Sequence, residues 1–98
     1  MAFDVDFSLH AGKHVRALRK RDQQIILDAI SANLRHEPEK PTRNRKKLDE
    51  HPIAPWELRI GDFRVFFDVI PEENLVVIVA VGEKRHNDLW IDDEKVDL

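Results

Sequence analysis

The stretch Trp56–Val69, WELRIGDFRVFFDV, reads as two short strands joined by Gly61-Asp62. A two-residue loop containing glycine suits a type I′ or II′ turn, because glycine accepts the positive φ that either turn needs. Such a loop sets the register. Ile60 falls opposite Phe63, Leu58 opposite Val65 and Trp56 opposite Phe67, so one face is wholly apolar and must pack on something. The other face pairs Arg59 with Arg64 and Glu57 with Phe66. Like charges directly opposite across a sheet are mildly destabilising, so this face invites a carboxylate or a phosphate between the arginines.

Upstream, Phe3, Val5 and Phe7 alternate with Asp4, Asp6 and Ser8, the period of a half-buried strand. Ser8 then suits the N-cap of a short basic helix with Ala11, Val15 and Leu18 on one stripe. Asp22 is the expected cap of a second helix, with Ile26, Ile30 and Leu34 on its buried side and Pro38 as its stop. Residues 38–55 hold four of the five prolines and the basic run Lys40, Arg43, Arg45, Lys46 and Lys47, and read as an irregular connection anchored by Leu48.

Downstream, Leu75–Val81, LVVIVAV, is apolar on both alternating faces and reads as a central strand. Then come Gly82, the charged segment EKRHND, a short strand at Leu89-Trp90-Ile91 and an acidic tail. The expected fold is α+β: an N-terminal strand and a two-helix hairpin packed on a mainly antiparallel sheet of about four strands, in one domain spanning residues 1–98. Leu58, Val65, Phe67, Val77, Val79, Ile26 and Ile30 are the expected core between helices and sheet.

Composition narrows the chemistry. The 98 residues contain no cysteine, which excludes disulfides, thiolate catalysis and cysteine-held zinc. His10 and His14 lie four apart but lack an evident third ligand, so no metal is expected. Only three glycines are present and none forms a phosphate-cradling loop, so no cofactor is expected. No apolar run approaches the roughly 20 residues of a membrane span, and the amino terminus has no signal-peptide pattern; a cytoplasmic location is expected. The net charge of −3 hides two unlike halves. Residues 1–48 carry 11 Lys/Arg against 6 Asp/Glu, and residues 49–98 carry 5 against 13. A cationic half of this kind suits an acidic partner or a phosphate backbone.

Arg59 and Arg64, the following Lys84, Arg85 and His86, and the returning Trp90 are expected to converge on one sheet face, as a site for a nucleic-acid backbone and a stacked base. With the strand-helix-helix opening, the basic linker ending KKL, the hairpin and VVIVAVGEKRHNDLW on the page, the chain resembles the RelE/ParE superfamily of type II toxin-antitoxin toxins over nearly its whole length. That resemblance implies a toxin held by a cognate antitoxin. In RelE-like members the activity is ribosome-dependent cleavage of mRNA; in ParE-like members it is non-enzymatic inhibition of DNA gyrase; a third reading is an attenuated member acting by partner binding.

By position, Arg64 matches the arginine that RelE-like toxins use at the scissile phosphate. Lys84 matches a second cation after the glycine, and Trp90 stands where many members have a tyrosine. The family's lysines on the first hairpin strand are absent, with Pro55 and Glu57 in their place. The residues expected to carry catalysis are therefore Arg64, Lys84, His86 as the titrating group and Glu57 as an alternative base. Those expected to bind substrate are Arg59, Trp90, Arg85, Arg45, Lys46 and Lys47.

Overall fold

The computed structural model describes residues 2–97. Strand β1 (Asp4–Phe7) leads into helix α1 (Leu9–Arg16) and helix α2 (Lys20–Leu34). Six strands follow: β2 (Arg45–Lys47), β3 (Trp56–Ile60), β4 (Phe63–Ile70), β5 (Leu75–Arg85), β6 (Asp88–Ile91) and β7 (Glu94–Val96). They form one sheet in the order β2-β3-β4-β5-β6-β7, with β1 paired in parallel to β5 and the other pairs antiparallel.

The hairpin register is the one that Gly61-Asp62 implies: Trp56 pairs with Phe67, Leu58 with Val65, Ile60 with Phe63 and Arg59 with Arg64. Within the loop only Gly61 takes positive φ, at 57°, the distribution of a II′ turn. Ser8 caps α1 as expected, its hydroxyl accepting from the Ala11 N–H at 3.1 Å. Ala11, Val15, Ile26, Ile30 and Leu34 seal the helices onto Trp56, Leu58, Val65, Phe67, Val76 and Ile78.

Four expectations are corrected. Val77 and Val79 are only half-buried, and Val76, Ile78 and Val81 take the helix-facing places. The cause is a bulge: Phe66 pairs with Ala80 and Phe67 with Ile78, so Val79 is an extra residue that flips the alternation. Asp22 does not cap α2; Arg19 holds that position without a side-chain bond, and Asp22 lies in the first turn, 3.4 Å from Arg19 Nε. The connection before the hairpin contains strand β2, paired to β3. The acidic tail is also a strand, and it brings the sheet to seven strands rather than about four. It is reached through two tight turns, His86-Asn87 and Asp92-Asp93, in which every residue has positive φ, a conformation that Asn and Asp tolerate best after glycine.

The extra strands make a second, smaller core on the far side of the sheet. Ala54, Phe66, Ala80 and Leu89 are buried there, with Leu48, Ile53, Val79, Ile91 and Val96 packed around them. The linker and the β6–β7 hairpin therefore cover much of a face that the alternation alone leaves solvated.

On its outer edge β5 pairs with β1 over Leu75–Ile78 and with β6 over Glu83–Arg85. Side chains fill the interval between them. Ser8 Oγ donates to the Val79 carbonyl at 2.9 Å, and the Val81 N–H donates to His14 Nδ1 at 3.2 Å. Backbone groups that no strand reaches still find partners, because leaving them buried and unpaired is costly.

Candidate functional site

Because cross-strand partners share a face, the register assigns every site residue to a side of the sheet. The face away from the helices carries Lys46 opposite Glu57, Glu57 opposite Phe66, Arg59 opposite Arg64, Arg64 opposite Gly82, and Lys84 opposite Leu89. Lys46, Glu57, Arg59, Arg64 and Lys84 thus form a cationic strip across four adjacent strands, with one carboxylate in it.

Arg64 sits at the centre and is 8% exposed. One terminal nitrogen donates to the carbonyls of Gly61, at 2.8 Å, and Phe63, at 2.9 Å, so the side chain curls over its own turn. Its Nε lies 4.0 Å from Glu57 Oε1, too far for a hydrogen bond, and is buried without a partner. Burial lowers the Arg64 pKa first and Arg59 lowers it further, while Glu57 and Asp62 act in the opposite direction. A guanidinium remains charged despite such shifts, so this is a buried cation with an unused donor. What it lacks is an acceptor and a close negative charge.

Several expected members lie elsewhere. Arg45 is 6% exposed and turns inward, donating through Nε to the Lys40 carbonyl at 2.7 Å and through a terminal nitrogen to the Asn33 carbonyl. It ties the end of α2 to the linker and has no reach toward a substrate on the other face. Lys47 pairs with Trp56 on the helix side, whereas its neighbour Lys46 belongs to the cationic strip.

Trp90 pairs with Glu83, and Glu83 with Phe63, so the indole lies on the helix side, across the sheet from Arg64. It lines a pocket with His14, Leu18, Phe63, Asp92 and Asp93. Arg85 stacks over it at 5.2 Å from the ring centroid and pairs with Glu83 at 2.9 Å and Asp93 at 3.1 Å. The Glu83 hydrogen bond, and then that of Asp93, raises the Arg85 pKa. His86 occupies the exposed turn beyond Arg85. Convergence of all six groups on one face therefore does not occur, because strict alternation along β5 and β6 sends Lys84 one way and Arg85 and Trp90 the other.

The strip has one neighbour that sequence reasoning placed simply in a loop. His51 stacks on Phe66 with ring centroids 5.4 Å apart and planes 17° from parallel. Phe66 faces the strip side and needs a cover, which is the one signal in the sequence; which linker residue supplies it is decided by the fold. Among the described residues no cluster of three or more His, Asp or Glu side chains is arranged to hold a metal ion.

A two-helix layer on one side of a seven-stranded sheet, and a buried arginine in a cationic strip on the other, define the class: a small α+β protein with a cationic sheet face. Residues 5–88 match the family model for the ParE toxin of the type II toxin-antitoxin system parDE, and the chain belongs to that family. It is a toxin of the RelE/ParE superfamily. No curated protein sequence matches it.

Solved structures agree on the fold. A chain of the RelBE2 toxin-antitoxin complex of Mycobacterium tuberculosis superposes with a TM-score of 0.72 at 23% identity, over 85% of this chain and 99% of that one. The archaeal RelE-RelB complex of Pyrococcus horikoshii gives 0.70 at 20%, over 88% and 99%. The isolated E. coli RelE toxin gives 0.68 at 23%, over 87% of each chain.

Proposed function

We propose that this toxin cleaves messenger RNA on the ribosome, in the cytoplasm, through the cationic strip, and that a cognate antitoxin neutralises it. What supports the reading above all is the unpartnered, buried Nε of Arg64, set between a carboxylate and a second arginine. Arg64 holds the scissile phosphate, Arg59 and Lys84 add charge on either side, and Lys46 tracks the next phosphate along the strand. Glu57 accepts the proton of the ribose 2′-hydroxyl as that oxygen attacks phosphorus. The bond to the 5′-oxygen breaks, and Lys84 returns a proton to the leaving oxygen, so the products are a cyclic phosphate and a 5′-hydroxyl end. His86, at its exposed turn, has no part in this scheme.

A second reading, inhibition of DNA gyrase, is favoured by the family model itself, which is that of ParE. The antitoxin partner is suggested by the solved RelBE2 and RelE-RelB complexes. The basic surface formed by α1, with Lys13 and Arg16 exposed, and by the start of α2, with Lys20 exposed, suits an acidic segment, and among the described residues no ion pair joins α1 to the acidic C-terminal strands.

Induction of the wild type and of Arg64→Ala in bacteria, with mapping of message ends and of gyrase-linked DNA breaks, tests both readings. Wild-type-specific cuts within translated codons are expected. Intact messages with accumulating DNA breaks would replace the RNase reading with the gyrase one.

A further inference from the structure

His51 is built into the active face in a way that cleavage chemistry alone does not require. One side of its ring lies flat on Phe66, which is 1% exposed and is held by Glu57 on one flank and Ala80 on the other. Its Nδ1 accepts a hydrogen bond from the Ile53 N–H at 3.2 Å. A nitrogen that accepts carries no proton, so the neutral ring bears its hydrogen on Nε2. The tautomer and the ring plane are thereby both defined.

The same bond argues against acid-base work. The imidazolium needs a proton on Nδ1 and would lose the Ile53 contact, and the neutral ring with its proton on Nε2 has no free lone pair there to act as a base. What remains is a flat, oriented surface with one outward donor. His51 is partly exposed, so it still reaches solvent after stacking on Phe66.

Its position relative to the phosphate site follows from the strand. Phe66 and Arg64 are two residues apart on one face of β4, a separation of about 7 Å. A phosphate held by Arg64 therefore leaves the base of an adjoining nucleotide near the His51 ring. Resting on the RNA-cleaving reading above, we propose that His51 is a positioning residue that stacks a nucleobase flanking the scissile phosphate and reads an acceptor on that base through Nε2–H. Aromatic and histidine rings serve single-stranded RNA in this way because every base offers a π-face, whereas only some offer an acceptor at a given edge. The site thus combines sequence-tolerant stacking with one element of base discrimination.

The test is single-turnover cleavage on ribosomes programmed with messages that carry each of the four bases at each A-site position. The wild type is compared with His51→Ala and His51→Phe, and all three are checked for folding by thermal melts. His51→Ala should raise the toxin concentration for half-maximal rate about tenfold, as loss of one stacked base implies. It should also flatten the base preference. His51→Phe should restore the concentration dependence, since it keeps a ring on Phe66, but not the preference, since it lacks the donor. A His51→Ala enzyme with unchanged preference, whether slower or not, would leave His51 as a mere cover for Phe66 and overturn the proposal. An uncut message with the wild type would instead refute the RNase reading, and this inference with it.

Discussion

Replacing Gly82 by alanine should destabilise the toxin and disable it, although simple rules point the other way. Gly82 does not adopt positive φ, and in a compatible backbone Gly→Ala commonly gains about 0.4–1 kcal/mol by restricting the unfolded chain. Here the new methyl would lie 2.8 Å from the Trp90 carbonyl oxygen, 2.8 Å from Ile91 Cγ1 and 3.0 Å from Leu89 Cδ1. Leu89 and Ile91 are side chains of the second core, and the Trp90 oxygen is backbone, so β6 itself has to move. Overpacking of this kind costs roughly 1–3 kcal/mol, more than the entropy gain. For a chain of this length a net loss of about 1.3 kcal/mol lowers the melting temperature by about 5–10 °C. Because Gly82 is the cross-strand partner of Arg64, and Lys84 that of Leu89, a displaced β6 also disturbs the cationic strip. Thermal melts by circular dichroism and the ribosome-programmed assay read the two effects. A Gly82→Ala protein melting at or above the wild-type temperature would refute the steric argument.

Arg64→Ala should abolish cleavage and also lower stability by about 1–2 kcal/mol, since it removes the bonds to the Gly61 and Phe63 carbonyls; exposed Arg59→Ala should stay within roughly 0.5 kcal/mol and weaken cleavage less. Denaturant melts beside the cleavage assay check the contrast, and equal stability of the two variants would contradict it. Lys46→Glu should reduce cleavage severalfold while Lys47→Glu leaves it near wild type, because the two side chains lie on opposite faces of β2; equal losses would show that a general basic field, not the strip, binds the message. His14 titrates below its ordinary value of 6.5, chiefly through burial, with Asp92 opposing and His10 adding to the shift. A depressed histidine pKa favours the neutral ring in the folded state. Its contribution is therefore complete above the unfolded value and is lost as pH falls from about 6.5 through the folded one. Melts between pH 7.5 and 5 should show a falling transition temperature, and His14→Gln, which keeps an acceptor for the Val81 N–H, should flatten the slope; an unchanged slope would remove His14 as its cause.

The central hairpin was legible because its determinants are local. Gly61 dictates the turn, the turn dictates the register, and the register puts Arg59 opposite Arg64 and Trp56 opposite Phe67. Ser8 as a cap and the Ile26, Ile30 and Leu34 stripe depend on neighbours within a turn or two of helix, and were equally readable. Strand β6 was expected at Leu89-Trp90-Ile91, but β7 and the hairpins that join both strands to the sheet were not. Their turns, His86-Asn87 and Asp92-Asp93, lack the glycine that advertises a hairpin, and the apolar residues they place, Leu89, Ile91 and Val96, pair with a face that appears polar until Phe66 is counted.

Taken alone, the chain determined which residues alternate and hence which could share a face; it could not determine which face each strand would turn to its neighbours. A single inserted residue at Val79 inverted half of β5, and alternation beyond Gly82 carried Trp90 and Arg85 away from Arg64. Whether Arg45 reached solvent or the end of α2, and which linker residue came to rest on Phe66, depended on contacts between segments far apart in the chain. Local sequence encodes periodicity and turn chemistry, because those are set by sterics over a few residues. The assembled sheet chose the members of the site, because register, bulges and the covering of a face are settled only when distant strands compete to bury the same side chains.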